Sequence, residues 1–151
     1  MSLLIQTVQK LLDRDLAVLE KEISFYATDA DLWKIAGDIK NPAGNLCLHL
    51  CGNLQYYIGA VLGNSGYVRN RDAEFSTKGL SKEQLLNEIA KTRKAVAAAL
   101  ENLNPTVLET IYPVEVFKDP MTTGYFLIHL SAHLGYHLGQ INYHRRLLQT
   151  H

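Results

Sequence analysis

The chain predicts an all-α fold, a four-helix bundle, on three observations. Apolar residues recur at spacings of three and four over long stretches, the period of an amphipathic helix. Two stretches of about 20 residues or more carry no Asp, Glu, Lys or Arg, as expected of helices buried on most sides. Strand-like alternation is confined to one short piece, Val107 to Phe117. With 151 residues there is room for one domain around one core, residues 1–151.

The first helix is predicted from Leu3 to Phe25, where Leu4, Val8, Leu11, Leu12, Leu16, Leu19 and Ile23 recur at helical spacing and charges fill the other face. Between Ala27 and Gly44 the pattern lapses into a loop that Trp33 is expected to pin to the core. Asn41-Pro42 at its end reads as a helix N-cap followed by proline at the first helical position. The second helix runs from Pro42 to Leu62 and stops at Gly63-Asn64-Ser65-Gly66, after which the polar stretch to Gly79 reads as an exposed loop. Ser81-Lys82-Glu83-Gln84 has capping-box spacing and opens a third helix through Leu85, Leu86, Ile89, Val96 and Leu100 to Asn104-Pro105. Val107 to Phe117, β-branched and aromatic, reads as a short extended piece or an irregular crossover. Asp119-Pro120 is expected to restart a helix, the fourth, over Met121 to Leu148. It is uncharged as far as Arg145, yet four histidines, a glutamine and an asparagine make it too polar for a membrane span.

Hydrophobic residues are 47% and charged residues 20% of the chain, with four prolines, the composition of a folded rather than a disordered protein. Fifteen basic residues balance fifteen acidic ones with no run of like charge, which argues against a nucleic-acid footprint and against electrostatic attachment to a membrane. The N-terminal stretch meets Asp13 and Arg14 too early for a signal peptide, so a cytoplasmic location is expected. Two cysteines, Cys47 and Cys51, cannot build a disulfide framework, in keeping with a reducing compartment. Leu3, Leu12 and Leu86, read as lying outside the main apolar stripes of the first and third helices, suggest a homodimer through helix faces.

Five of the six histidines fall in the two uncharged helices. His133 and His137 lie about 40° apart on one face of the fourth helix, one turn apart, the spacing that lets two imidazoles meet one ion. Phe126, His129, Gln140 and His144 fall within about 40° of His133. In the second helix Asn45, His49, Asn53 and Tyr56 form a stripe about 80° wide. Two such seams facing each other set His49 opposite His133 and His137. A lone histidine on an apolar helix is more often hydrogen-bonded to a carbonyl than bound to metal. Several imidazoles buried without a carboxylate partner, however, leave unpaired groups at roughly 1–3 kcal/mol each, and a shared cation relieves that cost. The competing reading has both seams facing solvent. Cys47 and Cys51 bracket His49 but lie about 160° from it around the helix, so they read as small buried hydrophobes rather than ligands. Nucleotide-binding loops, nucleophile elbows and H-E-x-x-H are all missing, and with the last goes a zincin-type general base.

The run HLSAHLGYHLGQINYHRRLL, His129 to Leu148, together with LCLHLCGNL, Leu46 to Leu54, resembles the two signature helices of the DinB/YfiT-like superfamily. The most specific element is H-x-x-x-H-x-G-Q, here His133, His137, Gly139 and Gln140, and the family's second-helix histidine falls on His49. Helix lengths, the tryptophan in the first loop and the crossover before the last helix also fit, so the resemblance covers nearly the whole chain. It implies an up-down-down-up four-helix bundle with a divalent metal, most often nickel or zinc, held by His49, His133 and His137. Some members of that family are transferases or isomerases using a low-molecular-weight thiol such as bacillithiol, mycothiol or glutathione. The extra His129, one turn before the pair, keeps His129 with His133 open as an alternative ligating pair.

The expected function is therefore that of a metal-dependent enzyme acting on a small-molecule substrate, by S-transfer from a thiol or as a hydrolase. Asn53, Tyr56, His129 and Gln140 are expected around the ion, and no residue is assigned a catalytic role. The alternative is a non-catalytic metal-binding bundle of the stress-response kind. An open pocket lined by Asn53, Tyr56 and Gln140 favours the first and a closed tetrahedral shell the second.

Overall fold

The computed structural model describes residues 2–150. They form five α-helices: α1 Leu3–Ser24, α2 Ala43–Leu54, α3 Arg71–Ser76, α4 Lys82–Glu101 and α5 Thr123–Leu148. Among the described residues there is no strand, and the pairing of Ile111 with Thr122 is an isolated antiparallel bridge. Among the described residues no helix is long and apolar enough to cross a membrane.

Local chemistry sets the helix ends. Ser2 opens α1 by accepting from the backbone N–H of Ile5 at 3.1 Å. The capping box expected at Ser81 forms in full, its hydroxyl accepting from Gln84 N–H and the Gln84 side chain answering Ser81 N–H. Burial then follows period: α1 turns Ile5, Val8, Leu12, Leu16, Leu19 and Ile23 inward, and α4 turns in Leu85, Ile89, Val96 and Leu100. α1 packs against α4 and α5, and α2 packs against the same two helices. The buried side chains join in one cluster.

Several expectations need correction. α2 begins one residue later than predicted: Pro42 occupies the N-cap position, without a side-chain cap, because its extended ψ of 167° suits that position. The helix does not run evenly to Leu62 but widens at Gln55–Ala60 into a turn of π-helix, which the sequence does not announce. α5 begins at Thr123, capped by Thr122, two residues after the predicted Met121, because Tyr112 N–H bonds to Met121 O and Thr123 N–H to Thr110 O, holding that stretch to the crossover. The crossover itself is irregular, with a 3₁₀ turn at Pro105–Glu109. α5 is not buried on most sides, since Tyr125, Ile128, Tyr136 and Tyr143 are each more than half exposed. Nor do Leu3, Leu12 and Leu86 form an exposed patch: Leu12 lies fully inside the core, Leu86 packs against it, and Leu3 alone is exposed.

The first loop is pinned as expected. Trp33 packs its ring over Gly44, where a Cβ would come within 2.6 Å of the ring, and its Nε1–H donates to Leu80 O at 3.0 Å. A glycine is needed there for the close approach. The stretch from Gly66 to Gly79 is not simply an exposed loop, for it contains α3, capped by Asn70, which packs against α2.

Replacing Ser81 with alanine removes one arm of the capping box and should lower stability by about 1 kcal/mol. Urea unfolding should show a lower midpoint with an unchanged slope.

Candidate metal centre

The uncharged helices bring His49 of α2 against His133 and His137 of α5. His133 Nε2 lies 3.2 Å from His49 Nε2 and 3.1 Å from His137 Nε2. One nitrogen from each ring lies within 4.8 Å of the others, a cluster that could hold a metal ion. His49 is buried, while His133 and His137 are half-buried.

What each ring does with its other nitrogen decides which hydrogen it carries. His49 Nδ1 is 3.0 Å from Oε1 of Glu74, which only accepts, and 3.5 Å from a terminal nitrogen of Arg69, which only donates; the shorter contact favours the hydrogen on Nδ1 and a bare Nε2. His137 Nδ1 donates to Oε1 of Gln140 at 2.7 Å, with the same consequence. The central ring, His133, has no partner for its buried Nδ1. If its hydrogen is on Nε2, one hydrogen serves two facing acceptors; if on Nδ1, three bare lone pairs converge and a buried donor is orphaned. A cation that accepts three lone pairs fits this donor set, and neutral imidazole suits a divalent transition metal.

Glu74 is the carboxylate the sequence reading lacked. Buried imidazoles without an acidic partner are expected from the two uncharged helices, yet the partner arrives from α3, in the supposed loop. Arg69 holds Glu74 through both oxygens, Nε to Oε2 and a terminal nitrogen to Oε1, each at 2.9 Å. Burial alone would raise the Glu74 carboxyl, but hydrogen bonds from His49 and Arg69 outweigh it and hold it below the usual range. Space for the carboxylate comes from Gly52, where a Cβ would meet Oε2 of Glu74 at 1.9 Å. The Arg69 guanidinium also lies 5.5 Å from the centre of the Tyr57 ring. Asn70 and the acidic Asp72 and Glu74 after it are the one sequence feature that signals α3; nothing local signals its docking.

The other candidate residues have separate fates. His129 lies outside the cluster, its ring between Phe126 and Phe117 and 6.3 Å from that of His133, so the His129–His133 alternative has no geometric support. Gln140 orients His137 and, through Nε2, reaches Tyr136 Oη at 3.4 Å. Asn53 is buried with Oδ1 unpartnered, and Tyr56 packs beside Tyr57. Asn45 clamps the backbone of Glu74 and Thr77. His144, on the same stripe of α5, is a core histidine: Tyr26 Oη lies 2.7 Å from Nδ1 and Lys34 O 2.8 Å from Nε2. Cys47 and Cys51 are buried free thiols, and hydrogen bonding to Cys51 together with burial pushes the Cys47 thiol well up. Beside His137 opens a cavity of about 480 Å³, lined by Lys40, Leu46, Tyr136, Gln140 and Tyr143 among others. Asn53 and Tyr56 do not line it.

Burial pushes the His133 imidazolium down to about 4, reinforced by the neighbouring histidines and Arg69. Burial likewise lowers His137 against the opposing bond to Gln140, and lowers His144 against the pull of Lys34 O and Asp31.

A family model described as "Protein of unknown function (DUF1572)" matches residues 2–151. No curated protein and no solved structure matches the chain.

Because these imidazoles are harder to protonate folded than unfolded, their stability contribution is complete above the ordinary value of 6.5 and is lost as pH falls below it. Chelator-treated protein should therefore melt lower at pH 5.5 than at pH 7.5. In His144→Gln, whose amide can keep both hydrogen bonds, the difference should shrink.

Proposed function

The chain belongs to the DUF1572 family of proteins of unknown function, and we propose that it is a DinB/YfiT-like metal-dependent enzyme, a four-helix bundle in the up-down-down-up arrangement. In this reading His49, His133 and His137 hold one divalent ion, nickel or zinc. The observation that carries it is the convergence of three Nε2 atoms whose outward nitrogens, on His49 and His137, are already committed to Glu74 and Gln140. The preference for nickel or zinc comes from imidazole chemistry and the DinB resemblance.

The reaction class is S-transfer from a low-molecular-weight thiol to a small electrophile. A bound divalent ion lowers the pKa of a coordinated thiol or water and polarises a substrate oxygen. The protein's share is arrangement. Gln140 and Glu74 fix the ring orientations of His137 and His49, so that the ligand atoms need little reorganisation. The ligand set is neutral, and the nearest carboxylate is already balanced by Arg69, which favours an anionic fourth ligand such as a thiolate. The cavity beside His137 offers tyrosine walls for an apolar body and Lys40 near its rim for a negative group. An open cavity beside one of the three ligands, His137, supports an exchangeable position over a closed structural shell.

Two measurements test this. Metal analysis of protein purified without a histidine tag should give about one ion per chain. His49→Ala, His133→Ala and His137→Ala should each fall well below that, and His129→Ala should not; full occupancy in His133→Ala sinks the assignment. A conjugation screen with bacillithiol, mycothiol and glutathione should then give thiol-dependent turnover that is abolished by a chelator and restored by nickel or zinc. A fully loaded protein inactive with every thiol is the result that favours a non-catalytic metal-binding role.

A further inference from the structure

We infer that Glu74 is a positioning residue for the metal centre, acting through His49, and that by this contact an ion held by the three histidines latches the segment from Asn64 to Leu80 onto α2. This rests on the metal reading above. The segment leaves and rejoins the long helices through backbone that bends sharply, since Asn64, Gly66 and Gly79 have positive φ of 51°, 81° and 76°. Between those bends only α3 is regular, and the surface is open, with Val68 87% exposed. Glu74 is the one buried residue of this segment. The anchors that reach inward are Asn45 to the carbonyls of Glu74 and Thr77, Lys78 to Asn45 Oδ1, Trp33 to the carbonyl of Leu80, Arg69 over the Tyr57 ring, the Phe75 ring 4.9 Å from that of His49, and the Arg69–Glu74 pair on His49 Nδ1.

The coupling lies in the tautomer of His49. Neutral imidazole carries its hydrogen on either nitrogen. With the hydrogen on Nε2, His49 can donate to His133, but Nδ1 then loses its bond to the Glu74 carboxylate and is left to accept only from Arg69 at 3.5 Å. A ring that ligates through Nε2 must keep its hydrogen on Nδ1, so ligation leaves only the tautomer that donates to Glu74. Arg69 keeps the carboxylate balanced in either case. By linkage, the factor by which Glu74 strengthens ion binding is the factor by which the ion strengthens closure of the segment.

The test follows amide hydrogen exchange over residues 66–78 of the full chain, with and without saturating Zn²⁺ set by a chelator buffer. In the wild type the ion should slow exchange there by roughly 10–100-fold, the range over which outer partners of a ligating histidine change metal affinity. Glu74→Ala should weaken Zn²⁺ by a factor in the same range and abolish the slowing. Glu74→Gln should fall between, because its amide oxygen still accepts from His49. Gly52→Ala should reproduce the Glu74→Ala result while deleting no polar group, since its Cβ displaces the carboxylate from His49. A wild type that binds Zn²⁺ tightly but exchanges over 66–78 at the same rate with and without it overturns the latch and leaves the metal reading standing. Equal Zn²⁺ affinity in wild type and Glu74→Ala overturns the positioning role. A wild type that binds neither Zn²⁺ nor Ni²⁺ overturns the metal reading and the latch together.

Discussion

Everything around the centre depends on the difficulty of packing three imidazoles into one seam. A neutral ring has one donor and one acceptor, and a cluster of such rings must send its hydrogens outward if its lone pairs are to meet. His49 and His137 do so, because Glu74 and Gln140 stand ready as acceptors. His133 does not, and its unpartnered Nδ1 marks where the arrangement is least satisfied without a cation. The uncharged sequence of α2 follows from the same constraint. A charge elsewhere on a helix buried around its circumference would need its own partner, and the carboxylate that is needed enters from outside, through the gap that Gly52 leaves.

Four histidines of α5 share one stripe and meet four different surroundings, which shows what spacing alone can and cannot specify. Spacing sets His133 and His137 on one face, one turn apart. It cannot tell them from His144, which has the same polar periodicity but ends against Tyr26 and Lys34, with Asp31 nearby anchoring the backbone of Thr150. His129 finds aromatic rings instead of nitrogen neighbours. The distinction comes from which part of the chain lies opposite each turn, and that is a property of packing.

The same boundary separates what is legible in the sequence from what is not. α1 and the start of α4 can be read to within about a residue because their apolar period and capping residues are local causes, whereas α4 ends at Glu101, three residues before the Asn104-Pro105 stop that the sequence predicts. The convergence of His49 with His133 and His137 is legible because two narrow polar seams on otherwise apolar helices have few ways to be buried. Glu74 is illegible for the opposite reason. A six-residue helix is too short to show a period, and its burial is explained by Arg69, by Asn45 some thirty residues earlier and by the absent side chain of Gly52. The π turn at Gln55–Ala60 is hidden as well, because one extra residue per turn shifts hydrogen bonds without altering composition. The start of α5 moves because the bridge bonds of Tyr112 and Thr123 are long-range, and they prevail over the local preference at Pro120.

Charge balance explains why Arg69 belongs to the centre although, apart from a 3.5 Å approach to His49 Nδ1, it acts through Glu74. A carboxylate buried against His49 alone would face a choice between taking a proton, which ends its use as an acceptor, and charging the imidazole, which ends its use as a ligand. Arg69 removes that choice by supplying the positive charge itself through a two-pronged contact of fixed geometry. The Nδ1 hydrogen of His49 then points outward to Glu74, and three neutral imidazoles would bring no charge of their own to an ion. A divalent ion held there, as proposed, would keep its two positive charges unneutralised by the three histidines, which would favour an anion from solution as a further ligand. A chain that had placed Glu74 directly in the cluster would bind the ion more tightly and respond less to what solution brings. The position of Glu74, one ring away and tied to an arginine, leaves the centre rigid in geometry and open in charge.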